Sequence, residues 1–150
     1  MKRIEHITSK MNDLLIMNAE VEKMYLELFN KLNDYELKTL IKERAEQRNE
    51  FNKDLKFEII ELGGKPKYAK AAKSEFYKFW MNFRNLLLLE DNKDLFYELY
   101  DLKELSVKKY NDILQEMHLP LSSCKLLIRQ RDNIQDAMDA LKREEHLVVV

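Results

Sequence analysis

The sequence predicts an all-α protein, with four long helices in two antiparallel hairpins and the hairpins joined by one long connection. Three observations predict it. Only two Gly and two Pro occur in 150 residues, so most of the chain must lie in long regular elements. Apolar residues recur every three or four positions over long stretches, the period of a helix with one buried stripe. The turn signals are uneven, two tight joints on either side of one much longer connection.

The first helix carries the clearest rhythm: Ile4, Ile7, Met11, Leu14, Asn18, Val21, Tyr25, Leu28 and Leu32. Leu15, Met24 and Phe29 widen the stripe beyond a two-stranded seam, so several packing neighbours are expected. Asn33-Asp34 ends it, with Asn33 and Glu36 spaced as a capping box for the next helix. The second helix runs from about Tyr35 to Leu62, with Leu37, Ile41, Ala45, Arg48, Phe51, Leu55, Ile59 and Leu62 inward. Gly63 suits its C-terminal cap, and Pro66 prevents resumption.

The stretch from Lys65 to Asp91 is far longer than a hairpin needs. A helix of this size is about 40 Å long at 1.5 Å per residue, and the connection suffices to travel back along it. Phe76, Phe79, Trp80, Phe83, Leu86 and Leu87 place a short amphipathic helix within it. The third helix follows Asp91 or Asn92, with Leu95, Leu99, Leu102, Ser106, Tyr110, Ile113 and Met117 inward. His118-Leu119-Pro120 is a tight turn. The fourth helix turns Cys124, Leu127, Ile128, Arg131, Ile134, Met138 and Leu141 inward, and its end from Lys142 is expected to fray. Two hairpins joined by one long crossover is the wiring of ferritin-like four-helix bundles.

The bulk numbers narrow the rest. A chain of 150 residues fits one domain, residues 1–150, able to bury about two-thirds of its unfolded surface. It is 35% charged and 45% hydrophobic, the composition of a soluble helical protein. A net charge of -1 gives no electrostatic reason to expect a nucleic-acid partner. The single Cys124 forms no internal disulfide, which makes a reducing cytoplasm the expected location. No apolar run approaches the ~18 residues of a transmembrane segment, and Met1-Lys2-Arg3-Ile4-Glu5-His6 lacks the apolar core of a signal peptide.

Ala45-Glu46-Gln47-Arg48, Phe51, Leu55, Leu62-Gly63-Gly64 with Pro66, Trp80-Met81, Glu98, Tyr110, Leu119-Pro120 and Gln130 occur in an order and spacing that resembles a bacterial ferritin-like bundle family, the domain of unknown function 2383. The resemblance runs from about Leu14 to Leu141. It implies a ferritin-like bundle and no known activity. Against the family pattern, this chain has Tyr100, Leu102 and Lys103 in the middle of helix three, and Met138 where a His is common on helix four. Both departures make the interior less suited to a cation.

A carboxylate-bridged di-metal centre needs a Glu from each of two helices and a Glu-x-x-His pair from each of the others, since that spacing puts both ligands on one face. Neither helix two nor helix four has that pair, and His6, His118 and His146 sit at helix ends. Glu22, Glu46, Glu98 and Asp136 are the carboxylates available to such a site, which is expected to be incomplete. No cofactor is expected; iron or another divalent metal belongs to the alternative reading. Asn18, Arg48, Ser106 and Arg131 interrupt the apolar seams near the helix middles and are expected to form a buried polar layer. That layer suits an anion or a Glu22 or Glu98 partner better than a metal, and its simplest role is to fix the helix register. The crossover's Lys65, Lys67, Lys70, Lys73 and Lys78, interleaved with aromatics including Trp80, form either a solvated face or a partner surface, such as a dimer contact with the acidic start of helix three. Cys124, without a neighbouring His or second Cys, reads as a small core residue. The function expected is that of a non-enzymatic, self-associating bundle, dimeric by preference, with a binding, structural or stress-related role. The alternative is a carboxylate-rich metal-binding protein.

Overall fold

The apolar rhythm that starts at Ile4 folds as helix α1, Lys2–Lys31. Its buried stripe includes Ile7, Met11, Leu14, Val21, Tyr25 and Leu28, and Leu15, Met17 and Met24 broaden it. The structure, a computed structural model, describes residues 2–67, 81 and 92–149. Among the described residues every long element is helical: α1, α2 (Tyr35–Glu61), α3 (Asn92–Leu114) and α4 (Leu121–Val149).

Asp34, not Asn33, caps α2. Its backbone is extended and its carboxylate accepts from the Leu37 amide at 3.0 Å. The cap is the residue just before the first helical one, and α2 begins at Tyr35, one position later than a cap at Asn33 requires. The far end of α2 is closed by both glycines. Gly63, at φ +88°, donates to the Ile60 carbonyl, and Gly64 donates to that of Ile59, both at 2.9 Å. This is the Schellman arrangement, and the left-handed residue inside it favours glycine. Gly64 is required for a different reason: a Cβ there would stand 2.8 Å from Thr8 Cγ2, so the chain passes against α1. Asn12 ties the departing strand down, donating to the Lys65 carbonyl at 3.1 Å and accepting from the Lys67 amide at 2.8 Å. The expected crossover helix, with Lys70, Lys73, Lys78 and Trp80, lies outside the described residues.

In α3, Leu99, Leu102, Ser106, Tyr110 and Ile113 are buried. Met117, expected inward, is 78% exposed, because α3 stops at Leu114 and Met117 falls in the turn that pivots on His118 at φ +63°. In α4 the buried face is Ser123, Leu126, Leu127, Gln130, Ile134 and Ala137. The face expected for this helix was rotated: Ile128 is exposed, and Cys124 and Arg131 are half-buried. The side chains of Leu95, Met138 and Leu141 lie outside the described residues. The helix runs on to Val149, through the stretch expected to fray.

Residue pairs fix how the helices lie. Asn18 meets Arg48 while Leu15 meets Asn52, so α1 and α2 are antiparallel. Tyr110 with Gln130 and Lys103 with Ala137 make α3 and α4 antiparallel. Lys10 with Glu116 and Asn18 with Tyr110 set α1 against α3. Glu58 with Ser122 and Phe51 with Gln130 set α2 against α4. Helices α2 and α3 therefore run the same way.

Candidate functional site in the bundle interior

Midway along the bundle the apolar core gives way to a hydrogen-bonded chain that joins all four helices. Arg48 Nη1 donates to Asn18 Oδ1 at 2.7 Å. Asn18 Nδ2 donates to the Tyr110 hydroxyl at 2.9 Å, and that hydroxyl donates to Gln130 Oε1 at 2.6 Å. Gln130 Nε2 then donates to the Phe51 carbonyl at 3.1 Å. Every side chain in this chain is at most 2% exposed. Burial of polar groups on this scale is tolerated only when they are mutually satisfied.

Seven residues further along α1 and seven back along α3 stand Tyr25 and Lys103. Lys103 is 1% exposed, and its ammonium nitrogen donates to the Ala137 carbonyl at 2.9 Å. Burial, reinforced by the positive charges of Arg44 and Arg48, holds this amine down to a pKa of about 6. Burial likewise lowers the Arg48 pKa, opposed by the Tyr25 and Tyr110 phenols. Burial pushes the Tyr110 hydroxyl up to about 12, opposed by its bond from Asn18 and the Arg48 charge. The Tyr25 hydroxyl is raised by burial against the opposing charges of Arg48 and Arg44. It lies against Arg48 without a hydrogen bond of good geometry, and Arg44 Nε is buried in the same condition.

The residues singled out in the sequence fall as follows. Asn18 and Arg48 belong to the buried chain. Ser106 is buried but donates to Leu102 of its own helix at 2.9 Å, outside that chain. Arg131, expected in the layer, turns out to Asn111 Oδ1 at 3.0 Å and to Asp132, and Gln130 takes the interior position. Glu46 and Asp136 are exposed, Glu22 and Glu98 half-buried. Lys65 and Lys67 are exposed. Tyr25, Lys103, Tyr110 and Gln130 were not assigned to the layer from sequence. Of these, Tyr110 and Tyr25 sit on the predicted stripes and could have been found by treating inward tyrosines as polar groups.

The arrangement does not fit a di-metal centre. Among the described residues no group of three or more His, Cys, Asp or Glu is placed to hold an ion, and the buried chain with its neighbours Tyr25 and Lys103 offers a guanidinium, an amine, amides and phenols. A cation would meet like charge there. Elsewhere, a cavity of about 610 Å³ opens at one end of the bundle between Arg3, Lys10, Asp112, Glu116 and His118. Its Glu116 carboxylate is held below the usual range by the bond from Lys10 and then by His6, at 2.9 and 3.3 Å. Lys10 and Glu116 are half-buried and His6 is exposed, which makes this a cross-tie between α1 and the end of α3 at the rim of the bundle.

The fold and this layer define a helical bundle whose interior is centred on a guanidinium. No helix among the described residues is long and apolar enough to cross a membrane. The chain belongs to the family described as Domain of unknown function (DUF2383), whose sequence model matches residues 6–116. That match begins earlier than the Leu14 expected and ends at Glu116, so α4 lies beyond it. A comparison with curated proteins found no match.

Proposed function

We propose that this chain is a non-enzymatic, single-domain helical bundle of ferritin-like wiring, cytoplasmic and self-associating as a dimer. Its role is binding or structural, of the kind called on in stress, and it operates without a complete di-iron site. One observation carries the reading. At the level where a ferritin-like bundle would hold its metals with carboxylate and imidazole, this interior holds Arg48 bonded to Asn18, with Lys103 nearby. Self-association has support from large apolar side chains left at the surface where α2 meets the start of α4: Phe57 at 65%, Ile60 at 57% and Leu121 at 69% exposure. Exposed groups of this kind mark interaction surfaces more often than chance.

Elemental analysis of protein purified without chelator, repeated after incubation with ferrous iron in air, tests the metal part. The expected result is no stoichiometric metal. Metal bound in stoichiometric amount, and lost on Glu98→Ala, overturns the reading. Sedimentation velocity tests the dimer, with Phe57→Glu expected to give monomers.

A further inference from the structure

We propose that the interior between Tyr25, Arg44, Arg48 and Lys103 is a binding site for a small inorganic oxyanion, of the sulfate or phosphate class. Two observations of different kinds point there. The first is charge. Arg44 and Arg48 from α2 both act electrostatically on Lys103 from α3, and both act on Tyr25 from α1. The groups that act on Arg48 and Lys103 are other cations and the phenols of Tyr25 and Tyr110, and no carboxylate is among them. Buried charge of one sign is retained in proteins when an opposite charge meets it.

The second is unmet donors. The Tyr25 hydroxyl is fully buried with no partner, and so is Arg44 Nε. Lys103 gives one hydrogen bond where an ammonium has three to give. A water molecule would satisfy such donors but leave the positive charge in place. An oxyanion accepts from several donors at once and neutralises them, and guanidinium groups match its geometry. Arg44 is half-buried with its Nε inside, so the site reaches the surface at that residue.

The proposal rests on reading this layer as one that excludes metal. Its test is separate: metal uptake fails the earlier reading, whereas an anion that does not bind, in protein free of metal, fails this one alone. Titration calorimetry of the full chain with sodium sulfate, against sodium chloride at equal ionic strength, is the experiment. Sulfate keeps its charge between pH 6 and 8, so any pH dependence belongs to the protein. The groups acting on the Lys103 amine are Arg44 and Arg48 from α2 and the Ala137 carbonyl from α4, to which it donates; the Tyr25 hydroxyl from α1 is acted on by the same two arginines. Held to a pKa of about 6, the amine gains a proton in that range. Sulfate is expected to bind saturably at one site per chain, about tenfold tighter at pH 6 than at pH 8. Lys103→Met is expected to abolish the pH dependence, and Tyr25→Phe to weaken binding about fivefold, as for one hydrogen bond. The general stabilisation by sulfate as an excluded salt is not saturable and is equal in the variants. Absence of saturable binding at pH 6, or affinity and pH dependence unchanged in both variants, overturns the proposal.

Discussion

Lys103 ties the stability of the fold to pH. The unfolded amine titrates near 10.5 and the folded one near 6, so the folded state binds fewer protons between those values. Stability is then lost as pH falls from about 10.5 toward 6 and levels off below, by roughly 1.4 kcal/mol per pH unit. Lys103→Met is expected to be more stable than the parent at pH 7 by several kcal/mol, with a flatter pH profile. Thermal unfolding from pH 6 to 10 checks both, and parallel profiles for parent and variant would refute the assignment. Arg48→Met removes a buried guanidinium but leaves Asn18 Oδ1 without its donor, a loss of about 1–3 kcal/mol offset by the desolvation that is relieved. The variant is expected to fold with stability near the parent's; failure to fold in urea titrations would show that the network depends on it. At this scale the sequence was legible only where spacing was unambiguous. Asn18 and Arg48 sit squarely on the predicted stripes. Arg131 and Gln130 are neighbours separated by about 100° around a helix, and the apolar stripe of α4 does not choose between them. Lys103 was legible only through the family resemblance, as a departure that makes the interior less suited to a cation; by itself a lysine between Leu102 and Glu104 reads as solvent-facing, and burial of lysine is rare.

The helix ends separate local rules from tertiary ones. Asp34→Ala is expected to destabilise by about 1 kcal/mol through loss of the α2 cap, while Asn33→Ala has no such effect; the difference in urea midpoint reads this directly. Gly63→Ala carries the penalty of a left-handed L-residue, about 1–2 kcal/mol. Gly64→Ala is expected to be harmful for another reason, the approach of 2.8 Å to Thr8 Cγ2 and 2.9 Å to Thr8 Cβ, so Thr8→Gly should recover part of the loss in Gly64→Ala and none in Gly63→Ala. Equal behaviour of the two glycine variants in that background would refute the distinction. The double glycine was recognisable as a stop from sequence, since the cap is a local matter. That the second glycine serves a contact with α1 was not, because Thr8 is far away in the chain. The same holds for the Asn12 strap, whose partners Lys65 and Lys67 lie beyond the whole of α2.

At the scale of the whole molecule, the hairpins and the length of their connection were legible because helix periodicity and turn chemistry are properties of short windows. Which side chains meet across the interior is a property of the assembled bundle. Tyr110 is where that assembly is tested most severely, since its hydroxyl joins α1 to α4. Tyr110→Phe strands the Asn18 amide and the Gln130 carbonyl together, and is expected to destabilise by about 2–5 kcal/mol, more than Arg48→Met. A smaller effect in chemical denaturation would mean the chain of bonds is loosely coupled. The amine of Lys103 has one more consequence. A neutral amine is a good nucleophile, yet here it is 1% exposed, and a reagent bulkier than a small oxyanion meets it only when the bundle opens. Its rate of acylation by a water-soluble anhydride, followed by peptide mass mapping, is thus a clock for the opening of the bundle, carried by the protein without any added label.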